Sequence, residues 1–367
     1  MKLSHVSLTA LLALAAATAV ACASPTPAPT SASPAQANPA PASTIPQPAQ
    51  SLAGQTITVY SGRAEDLVGP VIERFTRDTG VKVNARYGGT SELAAAILEE
   101  GRNSPADVYW AQDAGALGAL AQKGVLARLP DSILTRVDKR FRSPKGEWVG
   151  ITGRARVAAY NTKKLTEKDL PDSTFGFTDP KWKGRIGWAP TNGSFQAFVT
   201  AMRVVDGEAK TRQWLEGVKA NGAKAYRNNT AVLLAVASGE VDVGFVNHYY
   251  LYAQLKEKGT SFPARNYYPR AGDVGGMVNV AGAGILATSK NKDAALKFVD
   301  YMLSSGAQTY FAGDAPGGDA YEYPLISGVP IHVELTPLSQ IKTPDIDLSN
   351  LSDLEGTLKL LRDSGVL

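Results

Sequence analysis

The chain has 367 residues, a formal net charge of +4 and a single cysteine. That length can build two lobes with proper cores, while one cysteine excludes an intramolecular disulfide or a thiolate metal cluster. Lys and Arg are spread rather than clustered, so no nucleic-acid partner is expected.

At the N-terminus, Met1-Lys2 and His5 precede an apolar stretch from Leu8 to Ala21 that is too short to span a bilayer. Residues 1–21 read as an export signal. Ala19-Val20-Ala21-Cys22 resembles a bacterial lipobox, with Ala where Leu is usual at its first position, and implies lipidation of Cys22. Residues 22–53 are almost entirely Ala, Pro, Ser, Thr and Gln, which cannot bury enough surface to offset ordering entropy. They read as a disordered tether reaching roughly 90 Å at about 3.1 Å per residue.

The folded part opens with a short strand, Thr56 to Tyr60, and a helix from Glu65 to Thr79 with Leu67, Val71, Ile72 and Phe75 at helical spacing. Gly80 stops it, and 81–87 alternates as a second strand. A helix capped by 88–91, a strand at 106–110 and a helix at 113–123 follow. Strands are expected next at 149–151, 156–160 and 185–188, the last leading through 189–194 into a helix over 195–205. A strand at 281–286, a helix at 292–303 and a closing helix at 348–361 complete the pattern. Strands alternating with helices through short Gly and Pro loops imply α/β layers around a largely parallel sheet, with a cleft where two units meet.

The run Val241 to Lys256 alternates as a buried strand and then turns helical where Tyr249 and Tyr250 emerge. Two adjacent phenols at a cleft mouth suit a hard trivalent cation, because phenolate oxygens are hard, negatively charged donors. The free phenol pKa is near ~10, so the metal must displace the protons. A half-buried aromatic pair is the competing reading of the same segment.

Several ordered segments carry a resemblance: Val59-Tyr-Ser-Gly-Arg63, Phe75-Thr-Arg-Asp-Thr-Gly80, 99–108, Gly153-Arg-Ala-Arg-Val157, Tyr160-Asn-Thr162, Trp182-Lys-Gly-Arg185, Asn247-His-Tyr-Tyr250, Ala281-Gly-Ala-Gly284 and Tyr323-Pro-Leu325. From about Thr56 to the C-terminus the chain resembles bacterial ferric-iron-binding proteins of ABC importers, the transferrin-like type. The resemblance implies a two-lobed clamshell of the type 2 periplasmic-binding-protein fold, with central β-sheets flanked by helices. Approximate lobes are 54–150 with 278–330, and 151–277 with 331–367. Fe3+ would bind between them with a synergistic anion such as carbonate, phosphate or citrate.

The family's ligating tyrosines match Tyr249 and Tyr250, its anion-holding asparagine matches Asn247, and its anion loop at a helix start matches Asn192, Gly193 and Ser194. Backbone N–H groups at a helix N-terminus favour an anion independently of the resemblance. Departures are present too. A histidine found in some members is Ala64 here, a glutamate has Gln112 as its counterpart, and a third tyrosine has Asn192 or Phe195 in its region. Two phenolates leave a trivalent ion one charge short, so exogenous anions must complete the shell, with Glu65, Gln112 and Tyr60 as candidate substitutes.

Arg63 and Arg154 are candidate anion partners because guanidinium forks fit carbonate and phosphate oxygens; ordinary ion pairs are the alternative. Tyr267 and Tyr268 form a second phenol pair, but Pro269 marks a loop. His248 is expected to face solvent or cap its helix, Tyr252 to pack, and Asn228 to Thr230 to cap. No Gly-x-Ser-x-Gly, His-Glu-x-x-His or Walker sequence occurs, so no enzyme is expected. The expectation is a monomeric extracytoplasmic lipoprotein that passes ferric iron to a permease and its ATPase. The alternatives are a receptor for a small anion or an intact ferric chelate, and an adhesion or sensing lipoprotein.

Overall fold

Ten strands and the helices around them are built on a chain whose computed structural model describes residues 52–313 and 320–367. The export signal, Cys22 and nearly all of the 22–53 segment lie outside the described residues. The strands are β1 (Thr56–Ser61), β2 (Lys82–Tyr87), β3 (Val108–Ala111), β4 (Val149–Asn161), β5 (Ile186–Trp188), β6 (Lys224–Ala225), β7 (Val243–Asn247), β8 (Ala264–Tyr267), β9 (Val278–Ile285) and β10 (Tyr323–Pro324). Their order is β2-β1-β3-β9-β4-β7-β5-β6, with β8 and β10 also paired to β4.

Parallel pairing is confined to the outer strands, β2-β1-β3 on one side and β7-β5-β6 on the other. The expectation of a largely parallel sheet is therefore corrected. β4 and β9 sit between the two groups and pair antiparallel with each other and with their outer neighbours. A strand leaving one half of the sheet and a strand coming back must run in opposite directions.

β4 also corrects the expectation of two short strands, since it runs unbroken for 13 residues and every one of them is buried. With both faces covered there is no polar alternation to mark it. Residues 149–155 pair with β9, while 156–161 pair with β7 and β8. The strand changes partners between Ala155 and Arg156.

Each half closes around aromatic side chains. On one side, Phe298 meets Phe75 and Trp110 with ring centroids 5.1 and 5.8 Å apart. On the other, Trp214 packs among Trp188, Phe198 and Phe245. Edge-to-face pairs of this kind add to the burial of large rings.

The C-terminal stretch differs from its expectation as well. A 3-10 turn at Leu348–Ser352 precedes a helix at Leu354–Asp363, in place of one helix over 348–361. The turn lies against the helix Ala114–Gln122, where a Cβ on Gly115 or Gly118 would come within 2.4 or 2.5 Å of the carbonyls of Leu351 and Ser349. Glycine permits that approach.

Candidate ferric and anion site

The site forms where β4 changes partners, from β9 to β7 and β8. β7 delivers Asn247 opposite Arg156, and His248 then opens the helix Tyr249–Lys258. Tyr249 and Tyr250, both half-buried, leave its first turn with ring centroids 4.4 Å apart and planes at 32°. Burial pushes the Tyr250 phenol well above its ordinary value; Tyr249 reinforces this, while the Asn229 amide and Arg154 oppose it. A raised Tyr250 pKa keeps that phenol neutral until a strong positive charge draws off its proton.

Near the two phenols are two arginines from β4. Arg154 and Arg156 are 3% exposed, and Arg154 acts electrostatically on Arg156, Tyr250, His248 and Asp113. Nε and Nη1 of Arg154 and Nη2 of Arg156 have no hydrogen-bond partner among the described residues. Nη1 of Arg156 donates to Asn247 Oδ1 at 3.1 Å and to Ser194 Oγ at 3.5 Å. Burial lowers the Arg156 guanidinium to about 10, against the pull of Tyr249 and Tyr250. Buried, charged donors without partners are costly, and an anion is the group that would satisfy them.

The helix Gly193–Asp206 points its N-terminus into the same network. Asn192 caps it by accepting from Ser194 N–H at 3.0 Å and from Ser194 Oγ at 2.6 Å. Asn229, 1% exposed, donates to both Asn192 Oδ1 and Ser194 Oγ. Asn192, Ser194, Asn247, Arg154, Tyr249 and Tyr250 are thus brought together. Gly193 and Gln112 line an adjoining cavity of about 710 Å³ between the helices Thr90–Glu100, Ala114–Gln122, Gly193–Asp206 and Leu354–Asp363.

Other candidates are placed differently. Arg63 is buried, and its Nη2 donates to both carboxylate oxygens of Glu322 at 2.9 Å, so it is engaged in an ion pair rather than offered to an anion. The Tyr60 hydroxyl donates to Glu100 and accepts from Arg86. Glu65 is exposed on the first turn of its helix. The backbone N–H of Gln112 donates to Thr90 Oγ1.

His248 overturns its expectation. It is fully buried, its Nδ1 accepts from Ala155 N–H at 3.2 Å, and its Nε2 donates to the Tyr321 carbonyl at 2.8 Å. Packing against β4 and residues 320–325 wins over exposure at the helix start. Asn228 does cap its helix, accepting from Ala231 N–H.

Sequence reasoning missed Arg156 and took Asn229 only as part of the 228–230 helix entry, which capping explained. Arg156 was legible: it lies two residues from Arg154 in a strand, and such residues share a face. Asn229 followed an obvious cap and gave no separate signal.

A mixed α/β sheet flanked by helices, with buried polar side chains gathered where β4 changes partners, is the architecture of two-lobed solute-binding proteins. A sequence profile described as "Bacterial extracellular solute-binding protein" matches residues 57–314, and the chain belongs to that family. The chain is 38% identical over 313 residues to the "Major ferric iron-binding protein" of Neisseria meningitidis serogroup B, covering 84% of this chain and 93% of that one. Iron-bound HitA from Pseudomonas aeruginosa superposes with a TM-score of 0.76 at 36% identity, over 85% of this chain and 99% of HitA. A Trichodesmium protein (IdiA, FutA) in complex with iron and citrate superposes with a TM-score of 0.74 at 32% identity, over 84% and 99% of the two chains. These relatives bear out the resemblance to ferric-binding proteins drawn from the sequence, and they are transport proteins rather than enzymes.

Proposed function

We propose that the protein captures ferric iron with a synergistic anion at Tyr249 and Tyr250 and delivers it to an ABC permease. The observation that carries this reading is the close, tilted phenol pair near Arg154 and Arg156, three of whose buried donor atoms lack a partner among the described residues. Two phenolates leave Fe3+ with one positive charge, and two guanidiniums add two more. A polyvalent anion would neutralise that excess and occupy the orphaned donors, with Asn247 and the Asn192 to Ser194 loop beside it. The relatives' names support the metal, and the Trichodesmium complex supports citrate among the candidate anions.

In this reading 54–150 with 278–330 and 151–277 with 331–367 are the lobes that close over the ion, as a monomer. Cys22 holds the chain to the outer face of a membrane through its lipid. Family membership supports an extracytoplasmic setting, and no helix among the described residues is long and apolar enough to cross a membrane.

The test is visible spectroscopy of iron-free protein titrated with ferric citrate, or with ferric ion and carbonate. A phenolate-to-iron charge-transfer band is expected in the wild type and absent from the Tyr249→Phe/Tyr250→Phe double variant; a colourless wild-type titration rejects the reading. A second reading, capture of an intact ferric chelate, is favoured by the 710 Å³ cavity beside Gln112 and Gly193. Calorimetry with metal-free citrate separates the two, since tight binding without iron points to the chelating anion as the recognised solute.

A further inference from the structure

His248 uses both ring nitrogens inside the protein. A backbone N–H can only donate and a carbonyl can only accept, so the bonds to Ala155 and Tyr321 fix the neutral tautomer with the proton on Nε2. Its backbone is held as well, since His248 N–H donates to the Ala155 carbonyl and Asn266 Nδ2 donates to the His248 carbonyl. The ring stacks on Tyr323 at 4.7 Å and meets Tyr249 edge-on at 5.6 Å.

The segment it grips is itself anchored. Glu322 receives Arg63 Nη2 on both oxygens and Thr152 Oγ1 at 2.7 Å, and Leu325 N–H donates to Gln308. Tyr321, whose carbonyl accepts from His248, holds a positive φ of 48°, a conformation that a bulky residue keeps only when its surroundings impose it. A continuous path of bonds therefore runs from Arg63 through Glu322 and Tyr321 to the residue preceding Tyr249.

We propose that His248 is the positioning residue of the iron site: it ties the first turn of the ligand helix to residues 320–325, which the Arg63–Glu322 pair anchors to the loop after β1. This rests on the iron reading above. Arg63, considered from sequence as an anion partner, acts here through Glu322 instead. A ligand-bearing helix turn that could drift would spread the phenol oxygens over many positions and weaken the metal.

Two substitutions separate the bonds. Asn reproduces an acceptor near Nδ1 and loses the bond to Tyr321, whereas Gln reproduces a donor near Nε2. In competition with a chelator, His248→Asn should bind iron about 10- to 100-fold more weakly than wild type, with an altered charge-transfer band, and His248→Gln should stay near wild type. Glu322→Gln, which leaves His248 intact, should weaken iron in the same direction, and it decides the matter should His248→Asn fail to fold. Wild-type affinity in His248→Asn or in Glu322→Gln overturns the proposal. So does equal weakening in the Asn and Gln variants that merely follows their loss of melting temperature. A wild type without the band removes the iron reading and this proposal together; a banded wild type with indifferent variants removes only this one.

Discussion

The molecule has two pairs of adjacent tyrosines, and they have opposite fates. Tyr267 and Tyr268 sit where β8 gives way to Pro269, so extended backbone sends them apart: Tyr267 donates to the Pro171 carbonyl, and the Tyr268 hydroxyl meets that of Tyr323 at 3.4 Å. Tyr323 in turn donates to the Thr336 carbonyl. Tyr249 and Tyr250 sit on the first turn of a helix, side by side, and Tyr250 interacts with Tyr249 and Asn229. Burial raises the phenol pKa of Tyr250 and of Tyr268 alike. Raised pKa values therefore do not distinguish the pairs. What distinguishes them is their surroundings: one pair bonds to a backbone carbonyl and another tyrosine, while the other lies near buried arginine donors that have no partner among the described residues.

The largest effect that could break this comparison is complete loss. Tyr249→Phe/Tyr250→Phe should abolish tight iron binding, whereas Tyr267→Phe/Tyr268→Phe should keep both the iron and its band; equilibrium dialysis with radioactive iron measures both. A second pair that mattered as much as the first would end the distinction.

Acid comes next. Each phenol must shed a proton to bind, so below its pKa the apparent affinity should fall about tenfold per pH unit for each phenol, or about 100-fold for two. The direction is fixed because iron binding releases protons, so lowering pH opposes it. Competition titrations over neutral to mildly acidic pH give the slope, and each single Phe variant should flatten it by one proton.

The anion side should respond more modestly. Arg154→Met/Arg156→Met should reduce iron affinity in citrate or carbonate about 10- to 100-fold and remove most of its dependence on anion concentration. Unchanged anion dependence would move the anion elsewhere in the cleft.

The smallest effect belongs to the satisfied pair. Tyr268→Phe removes one partly buried hydroxyl contact and should cost about 1 kcal/mol of stability in urea unfolding, with iron affinity untouched.

Much of this was legible in the chain. The helix Glu65–Thr79 and the strand-to-helix switch around His248 announced themselves through apolar spacing and glycine stops. The joint order of several segments, Asn-His-Tyr-Tyr among them, carried the family, and that run named the phenols. β4 was harder to read because a strand buried on both faces has no alternation, and that strand holds both arginines of the site. Arg63 looked like an anion partner because a guanidinium announces only its charge. Glu322, which occupies it, lies 259 residues away in sequence. His248 was misplaced for the same reason, since its partners are backbone atoms on two remote segments.

Residue types and their local spacing determined by themselves that this chain makes alternating strands and helices, offers paired phenols at a helix start and contains no catalytic motif. Those properties depend on neighbours within a few turns of backbone. Only the tertiary structure decided which charged groups are neutralised and which are left wanting a partner. It paired Arg63 with Glu322, left Arg154 and Arg156 with donors to spare, and turned His248 inward. Electrostatic and hydrogen-bond satisfaction depend on what the fold brings within about 3 Å, and local spacing carries no record of that.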